Sequence, residues 1–179
     1  MASGGTEKYV IRVLGALPKE EFRTFVILDK KKGILLNELI KNVDSIIEIK
    51  NKSGILNRVK YLLKLYKFLA DQKIDIIQAH NDISVFFVLF SGILARVNTL
   101  IYSQRHSGWL QTKKSINSHG YWPANTKKVI IGFVSKNWAN MVLANSIDTK
   151  KQLLRDYNLS SDKIHVIHNS INKINLMGD

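Results

Sequence analysis

Short apolar runs rich in β-branched residues alternate along the chain with longer stretches whose apolar positions recur every three or four residues. The first pattern predicts strands at Thr24 to Leu28, Ser45 to Ile49, Asp75 to Ala79, Thr99 to Ser103, Met141 to Ala144 and Ile164 to Ile167. The second predicts helices at Thr6 to Leu17, Leu35 to Lys41, Leu56 to Gln72, Ser84 to Val97, Thr126 to Asn137 and Asp148 to Tyr157. Strands that alternate singly with helices imply an α/β fold, a Rossmann-like parallel sheet with helices on both faces. In Leu56 to Gln72, the residues Leu56, Val59, Leu62, Leu63, Tyr66 and Leu69 read as one apolar stripe, flanked by Arg58, Lys60, Lys64 and Lys67. That helix is either a core element with a solvated basic side or a membrane-surface element. The apolar run Val85 to Leu94 ends at Arg96, well short of the roughly 20 residues that cross a bilayer, and reads as a buried helix.

The length of 179 residues accommodates one domain with a substantial core, and residues 1–179 are read as a single domain. Cysteine is absent, which removes disulfides and thiolate metal sites, and no secretory leader is recognisable, so a cytoplasmic setting is expected. The net charge of +13 favours anionic partners without selecting among them. Nucleic acid is not expected, because Tyr61, Tyr66 and Phe68 fall in a helix rather than forming a stacking platform on a strand face.

Ligands of open parallel sheets bind beyond the carboxyl ends of the strands, which directs attention to the loops there. Gly4 and Gly5, in Ser3-Gly4-Gly5-Thr6-Glu7, precede a helix and let backbone N–H groups approach an anion, or else form an ordinary terminus capped by Thr6. His80, in Gln78-Ala79-His80-Asn81-Asp82, is either a ligand contact or a structural hydrogen-bonding group. Arg105 and His106 put a fixed cation beside a titratable ring, suited to an anionic substrate or to pairing with a nearby carboxylate. Ser146, close to the expected cleft, precedes Asp148 and a helical pattern and is either an N-cap, the favoured role, or a catalytic hydroxyl. No metal is expected: His165 and His168 sit three apart on a strand and point to opposite faces. Neither the three-glycine dinucleotide fingerprint nor a Gly-Lys-Ser/Thr phosphate loop occurs.

Gly4-Gly5-Thr6-Glu7, Asp75-Ile76-Ile77-Gln78-Ala79-His80-Asn81, Leu143-Ala144-Asn145-Ser146 and Val166-Ile167-His168-Asn169-Ser170-Ile171-Asn172 together resemble glycosyltransferase family 4, in order and over nearly the whole chain. The resemblance implies the N-terminal, acceptor-side half of a GT-B enzyme. Such an enzyme moves a sugar from a nucleotide-sugar donor to a saccharide or lipid-linked acceptor without a metal or other cofactor. It assigns His80, Arg105 and His106 to the acceptor side of the cleft. It places Gly4 and Gly5 near the donor phosphates or an anionic acceptor and Asn169 near the domain junction, with Ser146 near the ligand cleft on its own reading. Where the family supplies a first central strand, only Met1, Ala2 and Ser3 precede the glycines, so the sheet is expected to lack a strand between Thr24–Leu28 and Asp75–Ala79. Ser170 and Asn172 stand where the family has Gly and an acid, and Asp179 precedes the domain expected to hold the nucleotide. The chain is therefore expected to be incomplete at both ends and inactive alone, the product of a truncated frame or a partner for a complementary C-terminal donor domain on another chain. Its expected place is the inner face of an anionic membrane. The alternative is a non-catalytic basic module that binds such a membrane or a protein.

Overall fold

The computed structural model describes residues 5–50, 54–80, 82–105 and 124–168. Its elements in chain order are α1 (Gly5–Ala16), β1 (Phe25–Leu28), α2 (Leu36–Asn42), β2 (Ser45–Glu48), α3 (Ile55–Asp71) and β3 (Ile76–Ala79). There follow α4 (Asp82–Leu94), β4 (Thr99–Gln104), α5 (Ala124–Asn137), β5 (Met141–Ala144), α6 (Ile147–Tyr157) and β6 (Ile164–Val166). Each strand and helix expected from the sequence is present, with ends displaced by at most a few residues. The chain forms two compact units, one of residues 1–50 and 168–179 and the other of residues 51–167.

In the first unit, β1 and β2 pair in parallel, from Phe25 opposite Ser45 to Leu28 opposite Glu48. Ile11 of α1 and Leu35 and Leu39 beside and within α2 form its core, closed by Leu14, Val26, Leu28, Val43 and Ile46. The carboxylate of Asp44 fixes the start of both strands: its Oδ2 accepts from Thr24 N at 2.6 Å and from Thr24 Oγ1 at 2.8 Å. Those bonds, led by the backbone N–H, hold the Asp44 carboxyl below its ordinary range.

The second unit is a four-stranded parallel sheet in the order β3-β4-β5-β6. Its interior includes Leu65 and Leu69 of α3, Val85 and Leu89 of α4, Tyr102 of β4, Val134 of α5, Val142 of β5 and Leu153 of α6. Parallel strands covered by crossover helices are buried on both faces, which is why β4 and β5 carry little polar sequence before their carboxyl ends. Gly92 lets α4 lie close on the sheet: a Cβ there would fall 2.5 Å from Leu100 Cδ2. Asn140 pins the lead-in to β5 against β4, donating from its N to Leu100 O at 2.8 Å and accepting Leu100 N on Oδ1 at 2.7 Å.

β1 and β3 are each an edge of their own sheet, and no strand joining them occurs among the described residues. The stripe read on α3 needs correction. Its buried residues are Tyr61, Leu65 and Leu69, whereas Leu56, Val59, Leu63 and Tyr66 are exposed. A helix turns 100° per residue, and α3 is apolar around most of its circumference, so periodicity alone does not fix the inward arc. Contact with α4, where the Tyr61 and Phe87 rings meet edge to face at 5.9 Å, centres that arc near Leu65. The core reading of Val85 to Leu94 holds for Val85, Leu89 and Ser91 but not at its end, since Ile93 and Leu94 are exposed. No helix among the described residues is long and apolar enough to cross a membrane.

Candidate functional site

Strand register assembles the polar groups of the second unit at one edge of its sheet. Ala79 lies opposite Tyr102 and Gln104 opposite Ala144. One residue further on, His80 leaves β3, Arg105 leaves β4 and Asn145 leaves β5, on adjacent strands. These are the carboxyl ends where open parallel sheets hold ligands.

Arg105 is buried, with 7% of its surface exposed, and is held by short local contacts. Its Nε donates to Ser103 Oγ at 3.2 Å, and its main-chain carbonyl accepts from Asn145 Nδ2 at 3.0 Å. Asn145 also turns its Oδ1 toward α6, where it accepts from Thr149 Oγ1 at 2.7 Å. One amide therefore ties the end of β4 to the start of α6. Ser146 caps that helix, with extended backbone and its Oγ accepting from Thr149 N at 3.1 Å. On the opposite face of β4, the hydroxyl of the fully buried Tyr102 donates to Gln104 Oε1, which satisfies a phenol that packing would otherwise leave costly.

His80 is set by the same edge. Burial, and then the positive charge of Arg105, lower its pKa from 6.5 to about 4. At neutral pH the ring is therefore uncharged and offers one hydrogen-bond donor and one acceptor. The edge thus combines a fixed cation with a neutral imidazole, a pair that can orient hydroxyl groups and attract an anionic group.

Of the residues singled out from sequence, the structure brings together His80, Arg105 and Ser146. Gly5 is the first residue of α1 in the first unit, where a Cβ would meet no atom within 4 Å. Gly4, His106 and Asn169 lie outside the described residues. Two contributors carried less weight in the sequence reading: Ser103, whose hydroxyl steadies the guanidinium, and Asn145, which links β4 to α6. The signal for Asn145 was its place between a strand and an N-capping serine, where a short amide bonds backbone and side chains on either side.

Solved structures with the same fold include glycosyltransferases and a putative UDP-N-acetylglucosamine 2-epimerase from Listeria monocytogenes. HepE from Anabaena, solved with UDP-glucose, superposes with a TM-score of 0.71 at 18% identity, over 94% of this chain and 41% of its own. The lipopolysaccharide outer core galactosyltransferase WaaB in its apo form gives 0.67 at 16% identity, over 94% of this chain and 43% of its own. A glycosyltransferase from Rickettsia africae gives 0.66 at 19% identity, over 96% and 42%. This chain thus spans about two fifths of the length of those proteins. No curated protein sequence matches it. The class is the α/β half of the GT-B glycosyltransferases. The sequence profile of Glycosyltransferase Family 4 matches residues 3–173, and the chain belongs to that family.

Proposed function

We propose that this chain is the acceptor-binding half of a glycosyltransferase that moves a sugar from a nucleotide-sugar donor to a saccharide or lipid-linked acceptor. The observation that carries the reading is the pairing of His80 with Arg105 at adjacent strand ends, with the imidazole kept neutral. Neutral His80 hydrogen-bonds an acceptor hydroxyl. Arg105, with His106 beside it in sequence, supplies positive charge toward phosphate, where negative charge grows as the donor's glycosidic bond breaks. By the family resemblance, Gly4, Gly5, Ser146 and Asn169 are further candidate contacts for the donor or the cleft. A nucleoside-diphosphate sugar enters as substrate, and HepE, with UDP-glucose bound, and WaaB, a galactosyltransferase, are the precedents for that class of donor and transfer.

The donor is bound chiefly by a second domain, in keeping with the two fifths of its structural relatives that this chain spans, and the chain alone is inactive. The acceptor is met in the cytoplasm at the inner face of the membrane. The test is a titration of the 15N-labelled chain with UDP-glucose and, separately, with oligosaccharides, observing the His80 ring and the Arg105 side chain, alongside a UDP-release assay. Saccharides should shift both signals, and UDP-glucose should be neither hydrolysed nor transferred. Sustained UDP release by the chain alone would overturn the division of labour. Shifts with UDP-glucose and none with any saccharide would overturn the acceptor-side assignment.

A further inference from the structure

Helix α3 presents to solvent a face with two unlike halves. At 100° per residue, Tyr66, Val59, Leu63 and Leu56 fall within an arc of about 80°, and Lys67, Lys60 and Lys64 fall in the next arc of about 60°, which Asp71 shares in the last turn. Both halves are exposed, Leu56 at 74%, Leu63 at 61%, Val59 at 49% and Tyr66 at 40%, and the three lysines are exposed as well. Ile55, 79% exposed, extends the apolar half at the amino end. The side of the helix that the fold needs is elsewhere, on Tyr61, Leu65 and Leu69. Four large apolar side chains in one row on the outside of a helix gain nothing from the fold, and a row of this kind marks a contact surface.

The charge pattern selects the partner. A protein groove that takes an apolar helix face surrounds it with mixed polarity, whereas here one side is apolar and the neighbouring side carries three lysines against the single carboxylate of Asp71 in the last turn, on a chain of net charge +13. An amphipathic helix lying in the plane of a bilayer has that arrangement, its apolar row among the upper acyl chains and its lysines at the headgroups. We propose that the outer face of α3 inserts shallowly into an anionic lipid surface, through Leu56, Val59, Leu63 and Tyr66, with Lys60, Lys64 and Lys67 on lipid phosphates. This deepens the reading of a membrane-facing, lipid-linked acceptor. The insertion itself is tested with no sugar present, so its failure leaves the glycosyltransferase assignment standing, and failure of that assignment leaves lipid binding measurable.

Because the chain has no cysteine, a single one can be placed at will. Leu63→Cys on α3 and Lys151→Cys on α6, both exposed positions, are each labelled with a polarity-sensitive fluorophore. Contacts run from α3 to α4, α4 to α5 and α5 to α6, so two helices lie between the second label and the first. With phosphatidylcholine vesicles containing graded phosphatidylglycerol, the label at 63 should shift to the blue and be quenched by spin-labelled acyl chains, and the label at 151 should do neither. Co-sedimentation should rise with phosphatidylglycerol and fall with salt. Lys60→Gln/Lys64→Gln/Lys67→Gln should weaken binding about a hundredfold at low salt, about fivefold per lysine. Leu56→Ser/Leu63→Ser/Tyr66→Ser should keep the salt dependence, lose at least about tenfold in binding, and retain the helical circular dichroism of the parent. Equal binding to neutral vesicles, binding with the label at 63 still in water, or no vesicle binding at all would overturn the proposal. So would capture of α3 by a protein in place of lipid.

Discussion

The neutral imidazole of His80 makes stability depend on pH in a window that few other groups share. Its folded pKa of about 4 lies below the ordinary 6.5, so the unfolded chain takes up a proton that the folded chain does not. Between those values the unfolded state binds more protons and stability rises with pH. It is highest above about 6.5, is lost as pH falls toward 4, and then levels off. At about 1.4 kcal/mol per unit, a fall from 6.5 to 4 is worth about 3 kcal/mol. The carboxyls of Asp44, Glu48 and Asp156 are lowered instead, by their hydrogen bonds and neighbouring cations, so their contribution stands above the ordinary carboxyl range and fades only as pH falls below it. The assay is urea unfolding followed by circular dichroism at intervals from pH 7.5 to 4, for the parent and for His80→Gln. Glutamine keeps a donor and an acceptor but does not titrate, and the carboxyl contributions cancel in the difference. The parent should lose about 3 kcal/mol relative to the variant across that window, and the His80 ring resonances should titrate near 4. Parallel curves, or a ring that titrates near 6.5, would refute an imidazole kept neutral by burial and by Arg105.

Other substitutions test the geometry around it. Ser146→Ala removes the cap on α6 and should cost about 1 kcal/mol in urea unfolding. Asn145→Ala removes one hydrogen bond from the Arg105 carbonyl and one from the Thr149 hydroxyl, which keeps Ser146 Oγ, and should cost about 1–2 kcal/mol while broadening the Arg105 side-chain signal. Adjacent positions on α4 should respond with opposite signs. Ser91 is fully buried with a hydroxyl that has no hydrogen-bond partner among the described residues, so Ser91→Ala should raise stability by about 0.5–1 kcal/mol. Gly92→Ala would press a methyl onto Leu100 and should lower it by about 1–3 kcal/mol, less what the helix gains from alanine.

The fold was legible because its elements depend on local pattern. Met141 to Ala144 was bounded to the residue, since an apolar run between Asn140 and Asn145 leaves no other choice. The cap at Ser146 was legible for a similar reason: a short hydroxyl residue before an acidic first turn has one favourable role. The neighbourhood of His80 and Arg105 followed from the rule that parallel strands end on one side of their sheet. The lowered pKa did not follow, because it depends on how deeply the ring is enclosed and how near the guanidinium lies, and both are tertiary quantities. The inward face of α3 was misread for the same kind of reason. With apolar residues on most of its circumference, only the partner helix decides which leucines turn in.

Leu63 and Leu65 show what that decision implies. Two residues apart, they are the same side chain on opposite sides of one helix, 61% and 0% exposed. Leu65 accounts for itself through burial, since truncation to Ala would cost about 2–5 kcal/mol of stability. Leu63 has no such reason. As an isolated exposed leucine it would need none, but it lies in a row with Leu56, Val59 and Tyr66, and the neighbouring arc holds Lys60, Lys64 and Lys67. A row of exposed apolar side chains invites aggregation unless something covers it, and the lysines that keep the free protein apart by like-charge repulsion are the groups that an anionic surface attracts. Solubility in the free state and attachment in the bound state then follow from one arrangement, with the fold carried by the other side of the same helix.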